Sequence, residues 1–306
     1  MKETFAVALG EDVVHAVLLP GGASKEAWAV DLADGRELIV RRALGGVIHL
    51  DTLPLRDEFE VLAAAHEAGV RVPRPVAYLG ELDGREAFAM ERVHGETIGR
   101  RVVRHPPDGL PEQMAEQLAQ VHAIPADRVS FLPRPDLFAR LYEELDAVGE
   151  PHPAIELGLL WCRERLPLER ERVVSHGDIR IGNLAVDDSG LVAVLDWEFA
   201  HLSDPAEDVA WPLVRAWRFG ADDRRLGGVG EVEPYLERYA ELTGRRLSLD
   251  ELYVWEVLGN VKWAVGALTQ SRRHLSGRQR SVELAILGRL AAEMEYELLD
   301  LIEKAA

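Results

Sequence analysis

Residues 173–208 read VVSHGDIRIGNLAVDDSGLVAVLDWEFAHLSDPAED, and they contain the most specific pattern of the chain. The apolar runs 184–186 and 191–195 flank the turn sequence DDSG and predict a short antiparallel β-hairpin. With Ser189-Gly190 as the central turn pair, counting back along both strands places Asn183 opposite Asp196. An amide oxygen and a carboxylate are therefore expected together at the open end of the hairpin.

A third oxygen-bearing side chain, Asp178, precedes Asn183 by five residues and follows Gly177, which allows a sharp backbone bend. Mg²⁺ prefers oxygen ligands and needs only one or two protein carboxylates when phosphate supplies the rest. Phosphoryl transfer needs this layout, because one carboxylate orients and deprotonates the attacking hydroxyl while a metal neutralises the phosphoryl charge. The alternative is a polar hairpin whose Asp and Asn residues only make turns. The full conjunction with Asp-Trp-Glu favours the catalytic interpretation.

HGDIRIGN (176–183) followed by LDWE (195–198) resembles the signature of the aminoglycoside phosphotransferase and choline kinase family, which are small-molecule relatives of the protein kinases. The resemblance implies an α+β, bilobal protein-kinase-like fold with a small β-rich N-lobe and a larger, mainly helical C-lobe. It implies that Asp178 is the catalytic base, that Asn183 and Asp196 bind Mg²⁺, and that Asp208 anchors the catalytic loop through its backbone. ATP and Mg²⁺ are the implied cofactors.

Composition limits the classes of function. A chain of 306 residues, 47% of them hydrophobic, is long enough for two lobes with sizeable cores. A net charge of −18 argues against nonspecific binding to nucleic acid or to anionic membranes. The single cysteine, Cys162, excludes an internal disulfide and fits a reducing cytoplasm. The amino-terminal sequence and the absence of long apolar runs predict neither a signal peptide nor a membrane span.

The amino-terminal part of the chain has the pattern of a sheet that covers a nucleotide. A strand over 13–19 leads into small residues and then into an alternating strand over 27–32. Small residues let backbone N–H groups approach an anion. Alone, the two glycines indicate only a turn. Their place at the start of a kinase-like chain makes four residues candidate nucleotide contacts: Gly22, Ala23, Ser24 and Lys25.

The next strand, 37–42, ends in two arginines where kinase-like folds carry a lysine that holds the nucleotide phosphates. Arg41 matches that position in the family resemblance, and its fork of donors suits phosphate. Arg42 is expected on the opposite face of the strand. A helix over 51–67 follows, and helical-wheel arithmetic puts Glu58 near its apolar stripe and Glu60 on the far side. Glu58 is thus the candidate partner of Arg41. A solvent-facing arginine and a solvated Glu58 are the alternatives.

A strand over 86–93 leads into the connection between the lobes. In the kinase-like fold the backbone of this segment contacts adenine, and by position these contacts belong to Glu91 and Val93. Gly95 provides a flexible exit. The expected division is therefore an N-lobe at 1–95, with the nucleotide-binding sheet and one helix, and a C-lobe at 96–306, with the catalytic loop, the metal site and a helical substrate-binding region.

Beyond residue 95 the periodicity is helical. Helices are predicted at 111–122, 137–148, 155–166, 205–217, 232–242, 249–275 and 281–302. Basic residues between Lys262 and Arg280 stand out against the acidic background, and their simplest role is to oppose a helix dipole. The alternative is an anion-binding rim for a substrate with phosphate or carboxylate.

The strings HGDIRIGN and RRHLSG are most similar to the branch represented by the kinase module fused to certain acyl-CoA dehydrogenases. That branch implies a hydroxyacyl-CoA or another anionic metabolite as acceptor. The leading hypothesis is an enzyme that binds a nucleotide and a small-molecule hydroxyl substrate and binds neither nucleic acid nor membrane. A nucleotide-binding regulatory pseudokinase is the competing hypothesis, because the strand lysine is missing. The sequence indicates no oligomeric state.

Overall fold

The computed structural model describes residues 1–20, 25–44, 52–166 and 171–305. These residues form an amino-terminal antiparallel sheet with two covering helices, followed by a mainly helical part with two small β-ribbons. Among the described helices, none is long and apolar enough to cross a membrane.

The turns of the amino-terminal sheet follow the glycine pattern of the sequence. Its strands are β1 (Val13–Leu18), β2 (Lys25–Leu32), β3 (Glu37–Ala43), β4 (Pro75–Leu82) and β5 (Arg85–Glu91), in the spatial order β1-β2-β3-β5-β4. The β2–β3 and β4–β5 turns contain Gly35 and Gly84, both at positive φ, which glycine adopts without steric cost. Arg41 lies opposite Ala27 on β2 and Phe88 on β5, so β3 is the central strand.

One helix covers each face of this sheet. Helix α1 (Lys2–Leu9) packs Phe5 against Trp28 with 5.6 Å between ring centroids. Helix α2 (Leu55–Glu67) packs Phe59 against Phe88 at 5.7 Å. Phe88 and its neighbour Ala89 belong to different hydrophobic cores, because successive strand residues face opposite sides. The sequence pattern does not predict α1, since eight residues are too few to display a helical period.

The second part of the chain is built around one long helix. Its helices are α3 (Gly99–Val102), α4 (Leu110–His122), α5 (Leu137–Val148), α6 (Pro153–Arg165), α7 (Pro205–Ala210), α8 (Val232–Thr243), α9 (Leu249–Leu275) and α10 (Val282–Lys304). Every residue of α9 from 254 to 261 is buried, as expected of a central core helix. The predicted helix at 205–217 is wrong in its second half. It ends at Ala210 and continues as two 3₁₀ turns, because Pro212 has no N–H to continue the α-helical pattern.

Two antiparallel ribbons lie between α6 and α7 in the chain. Strand β6 (Val173–Ser175) pairs with β9 (His201–Ser203), and β7 (Leu184–Asp187) pairs with β8 (Gly190–Val194). The β7–β8 ribbon is the hairpin that the sequence predicts. It brings the HGD loop, the Asn183 turn and the DWE segment to one end of the second part of the molecule.

The predicted register of this hairpin is wrong by two residues at the turn and by one at the open end, because the pairing shifts between Ala185 and Val186. Asp187 pairs with Gly190, so the turn pair is Asp188-Ser189 and not Ser189-Gly190. The Asp187 carboxylate accepts hydrogen bonds from the Ser189 N–H (2.8 Å) and hydroxyl (2.6 Å) and closes the turn one residue earlier. At the open end the Leu195 N–H donates to the Asn183 carbonyl at 2.8 Å. Leu195 therefore lies opposite Asn183, and Asp196 follows it.

Candidate active site

The loop between β6 and β7 is held from behind by Asp208 of α7. The buried Asp208 carboxylate accepts hydrogen bonds from the backbone N–H of His176 (2.6 Å) and of Gly177 (2.9 Å). Burial alone would raise the pKa of Asp208, but the hydrogen bond and charge of His122 and these backbone donors hold it below its ordinary value. His122 is itself bonded to the Tyr239 hydroxyl at 2.6 Å. This geometry is the backbone anchoring expected of Asp208. His122 has a structural role, because it contacts both Tyr239 and Asp208.

His176 and Gly177 set the path of the same loop. Gly177 has φ 80°, and a Cβ there would collide with the Phe199 carbonyl oxygen. The His176 Nδ1 accepts from the Asp178 N–H (3.2 Å), and its Nε2 donates to the Leu195 carbonyl (3.0 Å). One ring nitrogen must accept and the other must donate, so the ring is neutral. Burial lowers the pKa of His176 and favours the same state.

Asp178 is surrounded by hydrogen-bond donors. The Asn183 Nδ2 donates to Asp178 Oδ2 at 2.7 Å and to its carbonyl at 2.9 Å. The Trp211 Nε1 donates to Oδ1 at 2.7 Å, and the Arg180 Nε lies 3.2 Å from Oδ1 and 3.3 Å from Oδ2. Because both partners of the Asn183 amide nitrogen are acceptors, the amide orientation is fixed and its oxygen faces away from Asp178.

Asp196 lies in a backbone conformation that is uncommon for residues other than glycine. Its φ is 65°, and such conformations cluster where function constrains the chain. The Arg41 Nη2 donates to Asp196 Oδ1 at 2.9 Å, and a third of the Asp196 side chain is exposed, 34%. Burial alone would raise the pKa of Asp196, but the Arg41 charge outweighs it and holds the pKa below its ordinary value.

Ion pairs connect Asp196 to the amino-terminal sheet. The Arg41 Nη1 lies 3.2 Å from Glu58 Oε1, and the Lys25 Nζ lies 2.5 Å from Glu58 Oε2. Lys25 also lies 2.9 Å from Glu198 Oε2, so it joins the sheet to the DWE segment. Complete burial raises the pKa of Glu58, and the charges of Arg41 and Lys25 oppose that rise. We call these five side chains the charge chain: Glu198, Lys25, Glu58, Arg41 and Asp196.

The remaining predicted contacts lie elsewhere or outside the described residues. Glu91 ends β5, where its N–H donates to the Arg74 carbonyl at 2.8 Å and its carboxylate pairs with the Arg74 side chain. Val93 follows this strand, two residues before Gly95. Neither residue is joined to the charge chain by the contacts described above. Gly22, Ala23 and Ser24 lie outside the described residues.

The basic residues of α9 do not form one group. Lys262 lies 3.1 Å from Glu207 Oε1 and 4.6 Å above the Trp211 ring, beside the catalytic loop. Arg272 and Arg273 lie in the last turn of α9, ten residues or about 15 Å further along the helix. Lys262 therefore lies apart from the other basic residues of this set, and the anion-binding rim stays a prediction for the residues from Arg272 to Arg280.

Three residues that contact the site were not singled out from the sequence: Glu198, Arg180 and Trp211. Glu198 and Arg180 stand inside the quoted motifs, and their position there was the available signal. Trp211 follows Asp208 by three residues, a spacing that brings two helical side chains to one side. No sequence pattern indicates that this indole reaches Asp178.

The chain is similar to known proteins in sequence and in fold. The chain matches the family model "Phosphotransferase enzyme family" over residues 15–244. It is 24% identical to Acyl-CoA dehydrogenase family member 10 from Mus musculus, in an alignment that covers 89% of this chain and 28% of that protein. The chain spans less than a third of the length of the curated relatives it matches.

Solved structures show the same fold. A Ralstonia eutropha protein assigned as an aminoglycoside phosphotransferase superposes with a TM-score of 0.78 at 18% identity, covering 99% of this chain and 98% of that one. Spectinomycin phosphotransferase, solved with ADP and spectinomycin, superposes with a TM-score of 0.70 at 14% identity, covering 97% of each chain.

The family model matches more than half of the chain, and the fold is that of phosphotransferases with known structures. The chain belongs to the phosphotransferase enzyme family. The predicted fold class is confirmed: an antiparallel sheet at the amino terminus precedes a helical carboxyl-terminal part, as in these neighbours.

Proposed function

We propose that the protein transfers the γ-phosphoryl group of ATP to a hydroxyl group of a small molecule. The observation that carries this proposal is the contact of Asn183 with the Asp178 carboxylate at 2.7 Å, beside the hairpin strand that runs into Asp196. A base, an amide oxygen and a second carboxylate thus come from neighbouring segments: the loop after β6, the turn before β7 and the chain after β8. This is the set of side chains that phosphoryl transfer to an alcohol requires.

Asp178 is the proposed catalytic base. It orients the acceptor hydroxyl and takes its proton as the new O–P bond forms. Asn183 and Trp211 are buried and hold one carboxylate oxygen each. Arg180 is the more exposed donor, with 24% of its side chain accessible, so it is the one that an incoming hydroxyl can displace.

Asn183 and Asp196 are the proposed Mg²⁺ ligands, and their chemistry fits that ion. The Asn183 oxygen faces away from Asp178, and Arg41 contacts only one oxygen of Asp196. No group of three or more His, Cys, Asp or Glu side chains suited to a metal occurs among the described residues. Two oxygen ligands completed by phosphate and water are typical of Mg²⁺. Bound there, the ion would neutralise charge on the phosphates.

The charge chain supports a phosphate-binding role for Lys25 and Arg41. Both cations contact Glu58; Arg41 also contacts Asp196, and Lys25 also contacts Glu198. Cations at this place suit the phosphates of a nucleotide whose adenine contacts the backbone of Glu91 and Val93. Gly22, Ala23 and Ser24 complete the proposed nucleotide contacts. In this arrangement Lys25 of β2 and Arg41 of β3 together take the place of the lysine that is missing from β3.

The proposed division into lobes and the proposed compartment follow from the same interpretation. An N-lobe at 1–95 would supply the nucleotide contacts, and a C-lobe at 96–306 would supply the base, the metal ligands and the acceptor site. Cys162 is a buried free thiol, which is compatible with the reducing cytoplasm.

For the acceptor we propose a hydroxyacyl-CoA or another anionic metabolite. The match to an acyl-CoA dehydrogenase family member and the cations Arg180 and Lys262 beside the base support this choice. A polycationic aminoglycoside would meet these cations directly. The arginines at the end of α9 lie about 15 Å further along the helix than Lys262, so they do not contribute to this group of cations.

The test is an assay with ATP, Mg²⁺ and a panel of 3- and 4-hydroxyacyl-CoAs beside aminoglycosides, with Asp178→Asn as the control. Transfer to a hydroxyacyl-CoA that disappears in the control would support the whole proposal. Phosphorylation of aminoglycosides alone would exclude an anionic acceptor, but the proposed phosphotransferase activity would still hold. Tight nucleotide binding without transfer to any alcohol would favour the regulatory module.

A further inference from the structure

The three side-chain donors around Asp178 differ in how firmly they are held. Trp211 is 7% exposed and Asn183 is 5% exposed, whereas the Arg180 side chain is 24% exposed. The two buried donors contact different carboxylate oxygens, Oδ1 for Trp211 and Oδ2 for Asn183. They therefore fix the plane of the carboxylate, whose rotation about its last bond is otherwise soft.

The indole of Trp211 is itself immobilised by its neighbours. The Trp217 ring lies 5.5 Å away at 60°, and the Lys262 Nζ lies 4.6 Å above the Trp211 ring. Helix α9 approaches closely at Gly259, where a Cβ would lie 2.7 Å from Val214 and 3.7 Å from Trp211. This packing fixes the position of the Trp211 N–H relative to the catalytic loop.

Trp211 and Asp208 act on the same loop from one short segment. Asp208 accepts from the backbone of His176 and Gly177. Three residues later, where α7 passes into a 3₁₀ turn, Trp211 donates to the Asp178 side chain. The end of α7 thus determines both the path of the loop and the orientation of the carboxylate that it carries.

We propose that Trp211 is a positioning residue, which holds the Asp178 carboxylate in the orientation that receives the proton of the acceptor hydroxyl. This inference rests on the proposed function, in which Asp178 is the catalytic base. Each carboxylate oxygen retains a lone pair after its buried hydrogen bond. The acceptor hydroxyl can therefore approach without breaking the contacts of Trp211 and Asn183.

The first experiment compares Trp211→Phe with Trp161→Phe in an assay of transfer to the best acceptor. Trp211→Phe removes the N–H and keeps an aromatic ring, and kcat should fall by about 10- to 100-fold with little change in KM for ATP. Trp161 is a buried tryptophan of α6 that packs under Arg165, so the same substitution there should reduce kcat much less. Equal effects of the two substitutions would overturn the inference.

A double-mutant cycle separates positioning from general packing. If Trp211 acts through the Asp178 carboxylate, adding Trp211→Phe to Asp178→Asn should leave the residual kcat almost unchanged. A loss of the same factor in both backgrounds would show a merely structural role. Should Trp211→Phe unfold, replacement by 3-benzothienylalanine keeps the bicyclic shape and removes only the N–H, with the melting temperature as the check on folding.

The outcomes also separate this inference from the function on which it rests. Wild-type turnover in Asp178→Asn would remove the catalytic base and Trp211's role with it. An inactive Asp178→Asn beside a fully active Trp211→Phe would overturn only the positioning role. An inactive Asp178→Asn, an impaired Trp211→Phe and no further loss in the double variant is the result that supports both.

Discussion

The two sides of the candidate site hold their side chains by different kinds of contact. On the side of the sheet, the charge chain alternates in sign from Glu198 through Lys25, Glu58 and Arg41 to Asp196. On the other side, the catalytic loop is held by backbone N–H groups on Asp208 and by the buried neutral donors of Asn183 and Trp211 on Asp178, while the charged donor Arg180 is more exposed.

The cations on the sheet side can therefore exchange their partners, whereas the hydrogen bonds of the catalytic loop are fixed. Long cationic side chains can leave a carboxylate for phosphate oxygens, because each exchange replaces one charged partner by another. The loop has no such freedom, since breaking a hydrogen bond of Asp208 leaves buried polar groups without partners. We therefore expect perturbations on the sheet side to change nucleotide affinity, and perturbations of the loop to change kcat or folding.

The largest effect is expected from Asp178→Asn, which removes the proposed base and keeps the size of the side chain. The kcat for transfer should fall by about 10³-fold, within the range of general-base catalysis. Nucleotide affinity measured by calorimetry should stay near the wild-type value, because Asp178 has no contact with the charge chain among the contacts described above. Asp187→Asn in the exposed hairpin turn is the matched control. Normal kcat in Asp178→Asn would contradict the assignment.

Gly177→Ala tests the fixed loop through its backbone. The added methyl group would meet the Phe199 carbonyl oxygen and also occupy a positive-φ position, and we expect a loss of about 3 kcal/mol in the free energy of unfolding. Gly69→Ala separates the two causes, because Gly69 has φ 84° and open space around its Cβ position. That control should lose only about 1 kcal/mol. Equal losses, measured by urea denaturation, would show that the collision is relieved.

Local sequence patterns predicted the helices and hairpins, whose contacts join residues that are close together in the sequence. Four of the five strands of the amino-terminal sheet and most helices follow from apolar periodicity and turn residues, whereas β4 was not predicted. Helical-wheel arithmetic singled out Glu58, and its carboxylate lies 3.2 Å from Arg41. The hairpin register was wrong because an Asp187 side-chain hydrogen bond, which no periodicity reveals, moved the turn by one residue.

Contacts between distant segments could not be predicted in the same way. Lys25 and Glu58 are 33 residues apart, and Trp211 and Asp178 are also 33 apart. The first pair joins β2 to α2, and the second joins the catalytic loop to the turn after α7, so each depends on packing between separate elements. Lys25 was singled out for the phosphates as part of a glycine-containing turn, but nothing in that turn indicates its second partner, Glu198.

Glu58→Gln tests the exchangeable side. The amide keeps the shape of the side chain and loses the charge that Lys25 and Arg41 share, so KM for ATP should rise about tenfold while kcat changes less. Glu60→Gln is the control on the same helix, since Glu60 is half exposed and lies 3.8 Å from Arg128. Steady-state kinetics over a range of ATP concentrations gives both constants. A fall in kcat at constant KM would place Glu58 with the fixed loop instead.

The smallest effect concerns the charges that support the loop behind Asp178. Glu207 is bonded to Ser203 (2.5 Å), lies 3.3 Å from His201 and pairs with Lys262. Burial alone would raise the pKa of Glu207, but the charges of Lys262 and His201 hold it well below its ordinary value. Burial alone would lower the pKa of His201, but the Glu207 charge raises it. The pair is therefore most stabilising where the carboxylate is ionised and the imidazole is protonated.

The stabilisation by Glu207 is lost as pH falls through its lowered pKa, and that by His201 is lost as pH rises through its raised pKa. Both are fully present between the ordinary values, about pH 4.5 to 6.5. Glu207→Gln should lower the free energy of unfolding by about 1–2 kcal/mol near pH 5.5. The deficit should shrink towards pH 8.5 without vanishing, because Lys262 remains charged. Glu233→Gln, at an exposed position of α8, should show no such trend, and a deficit independent of pH in Glu207→Gln would exclude the His201 contribution.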